Sequence, residues 1–548
     1  MAELSEKGPI TPPGATDTEA GIPPNMADVK EKLERSSVAP PPVGVDTIVA
    51  RDGIRLHPQP TADPMDPLNW TSLQKHSILA VIMFFYFMFT YITTTTVPSF
   101  PDLQETYAIS YSQVNWTVAI PALGLAVGPL IWSSLADIYG RRVVFLIGTV
   151  MAFAATIGAA EAKGYGGYMA ARFFQGLGTS PASTVGLAAI NDMFFEHERG
   201  QKIGLWVLAI DTGLLVGPIF GGFLNIVSAA WIQWFCVILF GVLFLLELAF
   251  MPETLYPRNH MLTKMPMVGD GDQMVADFEK VGRRRSDPSV VNLPRTKMLP
   301  FINWKPVPGM QHPKPWDALI RCVLMFKFAP VVIAVAIYCY LWYWWILSVI
   351  TMLPAAYIDY SPQIQGLLFI GLLLGTLFAE VALGGSLSDM ICARLTKRNG
   401  GVRIPEMRLW LIYPAGLLTS IGLIIWGISV DRAYHWMVGQ VAFFLFAAGI
   451  QTGNTIVATY LVDAYPLQSM SVVTFYAVFL NLSAFIDPFF IAPWQAGSGF
   501  TWCFAAQGII TAFGAMPLFA LLQKYGPQLR QKVGQPSWVN PEFDTFLS

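Results

Sequence analysis

Asp211, Glu247, Glu380 and Asp487 are carboxylic acids set inside long apolar runs of this 548-residue chain. An ionised carboxylate is costly in hydrocarbon, so an acid placed there either carries protons or belongs to a buried polar pair that locks helices together. Glu380, in Leu377-Phe378-Ala379-Glu380-Val381, sits deepest, and Asp211 lies about two turns inside its run. Asp487 precedes Pro488 and could instead satisfy backbone freed by that proline. Glu247 lies about one turn from the end of its run and reads as an interfacial acid. Acids protonated from alternate sides would couple the movement of a solute to that of protons, and the order of expectation is Glu380, Asp211, Asp487.

A second group could hold the solute. Tyr338, Trp342 and Trp345, in Tyr338-Cys339-Tyr340-Leu341-Trp342-Tyr343-Trp344-Trp345, share one helix face by the i, i+4, i+7 rule. They lie near mid-depth rather than in an interfacial belt. That face could stack on a planar or cationic solute, or pack against other helices or lipid. Gln451, Thr452, Asn454, Thr455 and Asn481 add polar groups. Arg172, with Gln175 one turn below, also falls inside a run. A central charge costs about 2.5–3.5 kcal/mol on the insertion scale, so Arg172 either faces a partner inside the protein or snorkels to the nearer surface.

Other chemistries are not encoded. There is no P-loop, no HExxH and no paired catalytic set. The six histidines avoid span centres, and the five cysteines form no CxxC or Cys/His spacing. No cofactor, metal or enzymatic activity is expected, and transport would draw on an ion gradient. A net charge of −2 gives no electrostatic case for nucleic acid.

The elements that must position these residues are transmembrane helices. The hydrophobic fraction is 54% and mean hydropathy +0.49, while charged residues make up 13% against roughly 25% in soluble domains. Apolar stretches at 76–98, 116–137, 143–161, 167–190, 204–226 and 231–251, then 329–356, 364–387, 409–429, 435–461, 470–492 and 500–523, each approach the ~20 residues that cross a bilayer. Transmembrane strands would be ~10 residues long with alternating polarity, which is not seen. The expected fold is an all-α membrane protein of twelve spans in two six-helix halves. It divides into a disordered tail 1–75, halves 76–251 and 329–523, a central linker 252–328 and a C-terminal tail 524–548. The tail carries twelve prolines and no apolar run, and is not a signal peptide. With the N-terminus inside, 31 of the 34 Lys and Arg fall on the cytoplasmic side, so both termini are placed in the cytoplasm.

The halves look related. Ser133-Ser134-Leu135-Ala136-Asp137 ends span two and Gly385-Ser386-Leu387-Ser388-Asp389 ends span eight, at an offset of 252 that also maps Arg142 onto Arg394. Leu135-Ala136-Asp137-Ile138-Tyr139-Gly140-Arg141-Arg142 is a charged helix end. Arg172-Phe173-Phe174-Gln175-Gly176-Leu177-Gly178 opens span four. Gly213-Leu214-Leu215-Val216-Gly217-Pro218-Ile219-Phe220-Gly221-Gly222 strips side chains from one helix face and permits a kink at Pro218. Pro60-Thr61-Ala62-Asp63-Pro64-Met65-Asp66-Pro67-Leu68-Asn69-Trp70, Pro252-Glu253-Thr254-Leu255, Pro405-Glu406-Met407-Arg408-Leu409 and Tyr460-Leu461-Val462-Asp463-Ala464-Tyr465-Pro466 mark span boundaries and read as structural.

Together these resemble the major facilitator superfamily, in particular its fungal twelve-span drug:proton antiporter branch, over nearly all of residues 57–530. The resemblance implies a conformational latch between halves at Asp137, Gly140, Arg141, Arg142, Asp389 and Arg394. Ser133 replaces the usual Gly and Ile138 the usual Arg. It implies proton coupling helped by Arg172 and Gln175 beside the acids, and an antiporter signature in Gly213, Gly217, Pro218, Gly221 and Gly222. The function expected is proton-coupled efflux of a small organic solute (drug, toxin, polyamine or metabolite) by a monomer in the lipid bilayer, at the plasma membrane or an endomembrane such as the vacuole. The alternatives are uptake by proton symport and a non-transporting membrane sensor, against which the short C-terminal tail argues.

Overall fold

Side-chain caps set where several of the helices begin. Thr71 Oγ1 accepts the Gln74 N–H, Ser110 and Gln113 form a reciprocal capping box, and Ser228 Oγ accepts the Ala230 N–H. The computed structural model describes residues 65–256, 313–384, 386–399, 404–465 and 468–534. Among them there are helices and turns but no strands.

In chain order, α1 is Ser72–Thr94, α2 Tyr111–Tyr139 and α3 Arg141–Ala160. Helix α4 runs as two pieces, Tyr165–Thr179 and Pro181–Met193, followed by α5 Glu196–Leu224 and α6 Ala229–Phe250. Helix α7 joins Ala329–Tyr338 to Trp345–Ala356 through a π-turn at Cys339–Tyr343. Helix α8 runs through Pro362–Leu367 and Ile370–Phe378 into a π-turn at Ala379–Gly384. Helix α9 is Ile412–Asp431 behind a 3₁₀ lead Pro405–Leu411, and α10 is Trp436–Ala464. Residues 469–498 form α11, and α12 starts at 500 and ends with Met516–Val533. Gly499, at φ 75°, separates α11 from α12; that conformation is one a side chain rarely adopts.

Ten helices among the described residues are long and apolar enough to cross a membrane by length and composition. One of the ten, Met470–Val533, holds both α11 and α12. Helix α4 falls outside the ten because Pro181 divides it into two pieces. These two places account for the difference from the expected twelve.

Boundaries differ from expectation at both ends. Helix α1 begins at 72 rather than 76 because Thr71 caps it there, and Lys75 in its first turn donates to Leu68 O at 2.9 Å. Helix α12 continues to 533, held by Arg530 on Glu406. The expected tail 1–75 is described only from 65, and of the linker 252–328 residues 257–312 lie outside the described set.

The two halves meet chiefly along α2–α11 and α5–α8. Near the starts of α2 and α8, Tyr111 donates to Thr351 O at 2.7 Å and Trp116 packs on Phe489 at 5.4 Å. There α5 and α8 touch backbone to backbone. A Cβ on Gly222 would lie 2.4 Å from Pro362 O, and one on Gly366 2.6 Å from Pro218 O. Gly222→Ala should therefore wedge the halves apart at this end. The expected result is a several-fold faster reaction of Gln363→Cys with a membrane-impermeant maleimide; an unchanged rate would mean the contact does not hold this end shut.

The glycines of the antiporter signature serve a different contact. Cβ atoms on Gly213, Gly217 and Gly221 would strike α1 and its extension, at 2.2 Å from Phe87 O, 2.8 Å from Thr94 Oγ1 and 1.9 Å from Thr95 O. Pro218 cannot donate to Leu214 O, and Thr94 Oγ1 takes that carbonyl at 2.7 Å. Helix α5 thus stays continuous through its proline because α1 supplies the missing donor.

Candidate functional site

Midway along α5 and α10, where the halves face each other, three polar side chains converge. Gln451 Nε2 donates to Asp211 Oδ2 at 2.6 Å and to Glu380 Oε2 at 3.1 Å. Thr455 Oγ1, one turn along α10, donates to the same Glu380 oxygen at 3.1 Å. Asp211 belongs to the first half, Glu380 and Gln451 to the second. One carboxamide therefore joins an acid from each half, and no Lys, Arg or His pairs with either acid among the described residues. Glu380 opens the π-turn of α8. Such a turn inserts an extra residue and re-aims the side chains on it, a device common at functional sites. Both acids are only partly buried.

Aromatic rings gather on the Asp211 side of this pair. Tyr86, Tyr338, Tyr343 and Tyr476 all lie within electrostatic range of Asp211. Tyr86 stacks on Trp206 at 4.1 Å and 8°, and Tyr338 lies 5.8 Å from Tyr343 and 6.3 Å from Tyr476. Tyr338 donates to Ile450 O at 2.9 Å.

Trp342 and Trp345 are not brought to the acids. They are 0% and 1% exposed, with indole N–H groups on Thr419 Oγ1 at 3.0 Å and Thr511 Oγ1 at 3.1 Å inside the second half. The π-turn at Cys339–Tyr343 shifts the helical phase, so the i, i+4, i+7 face breaks and Tyr343 takes the place expected of Trp342. Asn454 accepts the Tyr476 hydroxyl, and Asn481 donates to Ala477 O of its own helix at 2.8 Å. Tyr86, Trp206, Tyr343 and Tyr476 were missed as site residues. Tyr343 was visible in the aromatic run but discounted by a regular period, and the other three carried no local signal.

Arg172 does not snorkel. It is 0% exposed, and its guanidinium donates to Ile92 O at 2.6 Å, Thr93 O at 3.0 Å, Thr117 O at 3.1 Å and Gln175 Oε1 at 3.0 Å. Gln175 Nε2 continues to Thr156 Oγ1 at 3.1 Å and Gln233 Oε1 at 2.9 Å. The cation thus ties α4 to the last turn of α1 and the first part of α2 through carbonyls and amides.

Asp487 and Glu247 lie away from the central pair, and each is 0% exposed. Asp487 Oδ1 accepts the Ser348 hydroxyl at 2.6 Å between α11 and α7, so it does not cap the backbone freed by Pro488. Glu247 Oε1 accepts the Thr149 hydroxyl at 2.7 Å between α6 and α3. Glu247 is therefore a buried helix-helix contact and not an interfacial acid.

The charged ends of the helices form two related clusters, each within one half. Arg141 pairs with Asp137 and reaches Asp192 at 3.5 Å. In the second half Arg408 pairs with Asp463 at 2.6 Å, and Arg530 holds Glu406 through two bonds at 3.0 and 2.8 Å. Arg141 and Arg408 both start the third helix of their half and meet an Asp at the end of the fourth. The correspondence of Arg142 with Arg394 fails here. The helix Ser386–Arg398 extends α8 and carries Arg394 exposed on it, so the extra length displaces the register beyond Asp389. The side chain of Asp389 lies outside the described residues.

Glu253, read from sequence as a boundary residue, caps α3. Its carboxylate accepts Arg141 N–H at 2.8 Å, Arg142 N–H at 3.1 Å and Leu255 N–H at 2.8 Å. Burial pushes this carboxyl above the ordinary carboxylate range, opposed by those three N–H groups and by Arg141. Gly140 makes the cap possible: its φ is 103°, and a Cβ there would sit 2.2 Å from Glu253 Oε2. Glu253→Ala should cost about 1–2 kcal/mol, read as a lower thermal unfolding midpoint in detergent, while Glu253→Gln, which keeps an acceptor, should lose less. Equal midpoints for Glu253→Ala and wild type would remove the cap from this account.

The sequence pattern of the Major Facilitator Superfamily matches residues 79–488. An efflux pump, radE of Floropilus chiversii, is 28% identical over 85% of this chain and 83% of its own length. The MFS-type efflux pump MFS2 of Trichophyton rubrum is 26% identical over 86% and 76% respectively. Protein HOL1 of Saccharomyces cerevisiae is 23% identical over 87% and 90%. Among solved structures, a D-xylose-proton symporter superposes with a TM-score of 0.56 at 16% identity, covering 80% of this chain and 97% of the other. The match in sequence over most of the chain, and the helical fold that carries it, make this protein a multi-pass membrane transporter of the Major Facilitator Superfamily.

Proposed function

We propose that this chain exports a small organic solute in exchange for protons, by alternating access at the site where Gln451 joins Asp211 to Glu380. The observation that carries the reading is that bridge itself: an acid from each half, held by one neutral amide, with no cation paired to either among the described residues. Separating the halves must break the Asp211–Gln451 bond, because the two residues lie on different halves. The charge state of the acids is then tied to which side the site faces. A bound proton on one acid lets the pair approach without two adjacent negative charges. Efflux as the direction is supported by the relatives named as efflux pumps.

In this reading twelve spans cross the membrane, α4 and both parts of Met470–Val533 included. The ends bearing Arg141, Arg408 and Arg530 face the cytoplasm, with both termini, and the protein acts as a monomer in the plasma membrane. Arg172 and Gln175 support proton coupling by holding α1, which carries Tyr86, and Asp487 locks α11 to α7.

The test is flux in liposomes holding the full chain, loaded with a pH dye and presented with a panel of organic solutes. The expected result is proton movement opposite to solute. Proton movement in the same direction would replace export by symport. No solute-dependent flux by wild type, with Glu380→Gln indistinguishable from it, would remove transport as stated.

A further inference from the structure

We propose that residues 314–327, the end of the central linker, form a binding site for anionic phospholipid. The helix in this segment lies in the surface of the leaflet, takes acidic headgroups at Lys314, Arg321 and Lys327, and so clasps the two halves where α2 meets α11. It runs Asp317–Leu324 and leads through a 3₁₀ turn at Met325–Lys327 into α7. On the orientation proposed above the leaflet is the cytoplasmic one; nothing else in the inference depends on the transport reading.

The apolar face of this helix is turned outward. Trp316, Leu319, Ile320, Val323 and Phe326 are each 46–69% exposed, and the first four repeat at i, i+3, i+4 and i+7. The opposite side packs on protein, with Cys322 and Met325 buried and the Ala318 N–H donating to Ser134 Oγ of α2 at 3.1 Å. Depth indicates what covers the apolar face. Ser134 lies five residues before Tyr139, the end of α2, or about 7.5 Å along its axis. Amphipathic helices that lie in a membrane surface sink about 5–10 Å into the boundary between headgroups and acyl chains. Trp316 is a residue type that concentrates at that level.

Charge selects the lipid. Lys314 and Lys327 bound the segment and are exposed, and Arg321 is partly exposed beside the apolar stripe. The segment holds one acid, Asp317, whose Oδ2 accepts the Lys314 N–H at 3.0 Å. None of the three basic side chains is in an ion pair among the described residues. Three cations against one carboxylate leave net positive charge at headgroup level, which an acidic leaflet attracts. A second copy of the chain seated on the same face would bring the same positive charge against it.

The position of the helix gives this site a consequence. It continues into α7, and Phe326 packs on α11 at 5.3 Å from Phe475 and 5.7 Å from Phe479, so it moves with the second half. It meets the first half on α2, at Ser134. Parting the halves at this end must lift Ala318 from Ser134 or draw the helix out of the leaflet. Acidic lipid that holds the helix in place opposes both, so the lipid composition of the leaflet sets how readily this end opens.

The experiment uses the full chain, whose five cysteines are all buried, so that an added surface cysteine takes a label selectively. A nitroxide on Val323→Cys, in liposomes of equimolar phosphatidylcholine and phosphatidylserine, should collide with oxygen several-fold more than with a water-soluble nickel chelate. Preference for the chelate would put the face in water, and few collisions with either would mean that protein covers it; each overturns the proposal. In detergent, native mass spectrometry should show phosphatidylserine retained several-fold over phosphatidylcholine of the same chains. Lys314→Gln, Arg321→Gln and Lys327→Gln together should remove most of that preference at an unchanged thermal midpoint, while Lys397→Gln with Arg398→Gln, exposed cations elsewhere, should keep it. Equal retention of the two lipids by wild type, or equal loss in both variants, would overturn the site. Ser134→Cys, beneath the helix, should react with a maleimide several-fold more slowly in the mixed liposomes than in phosphatidylcholine alone; equal rates would overturn the clasp. These readouts need no transported solute, so failure of the exchange reading leaves them standing.

Discussion

Glu380→Gln is expected to reduce solute-driven proton movement at least about a hundredfold in liposomes, and Asp211→Asn to do the same. Each substitution keeps the shape and a hydrogen-bonding terminus, so Gln451 retains a carbonyl oxygen to donate to and the fold should persist. What is lost is a titrating group on one side of the divide, and with it the link between the charge of the site and the approach of the halves. Asp487→Asn serves as the contrast. Its carboxyl meets the Ser348 hydroxyl between two helices of the same half, and an amide oxygen can accept that bond equally well, so flux should stay within about threefold of wild type. If Asp487→Asn stops flux while Glu380→Gln does not, the coupling acid has been misassigned.

Arg172→Gln should have the largest effect on folding. Removing the guanidinium orphans three buried carbonyls, Ile92 O, Thr93 O and Thr117 O, that no backbone donor takes over. Each unsatisfied buried group costs about 1–3 kcal/mol, so a total loss of at least about 3 kcal/mol is expected. Arg172→Lys keeps the charge but loses the planar fork that reaches several carbonyls at once, so it too should unfold early. The measurement is the recovery and thermal midpoint of monodisperse protein in detergent. An Arg172→Lys protein of wild-type stability that has lost proton coupling would instead make Arg172 part of the proton path.

The fold was legible because membrane solvation leaves a coarse and robust mark. Twenty-residue apolar runs and glycines spaced four apart in α5 each report a physical constraint that acts locally along the chain. The acids were legible for the same reason: Asp211 and Glu380 stand out because hydrocarbon penalises them wherever they end up. What surrounds them was not legible. Tyr86, Tyr343 and Tyr476 come from three helices, and only packing brings them to one carboxylate. The face of α7 was misread because the π-turn at Cys339–Tyr343 adds a residue to a helix whose sequence shows no break. Glu253 was read as a boundary residue because its partners, the N–H groups of Arg141 and Arg142, are more than a hundred positions away. The repeat offset of 252 fails at Arg394, since the helix extending α8 has no counterpart after α2.

The most direct measurement concerns access to the central pair. Ala458, partly buried two turns beyond Gln451 on α10, is replaced by Cys in a chain whose five cysteines are changed to Ala. The protein is held in liposomes of one orientation, and a membrane-impermeant thiol reagent is applied to either side under an imposed pH gradient. The account predicts reaction from one face at a time, with the reactive face changing when the gradient is inverted and the change lost in Glu380→Gln. Reaction from both faces together, or from the same face whatever the gradient, would contradict a site that opens to each side in turn under the control of its protons.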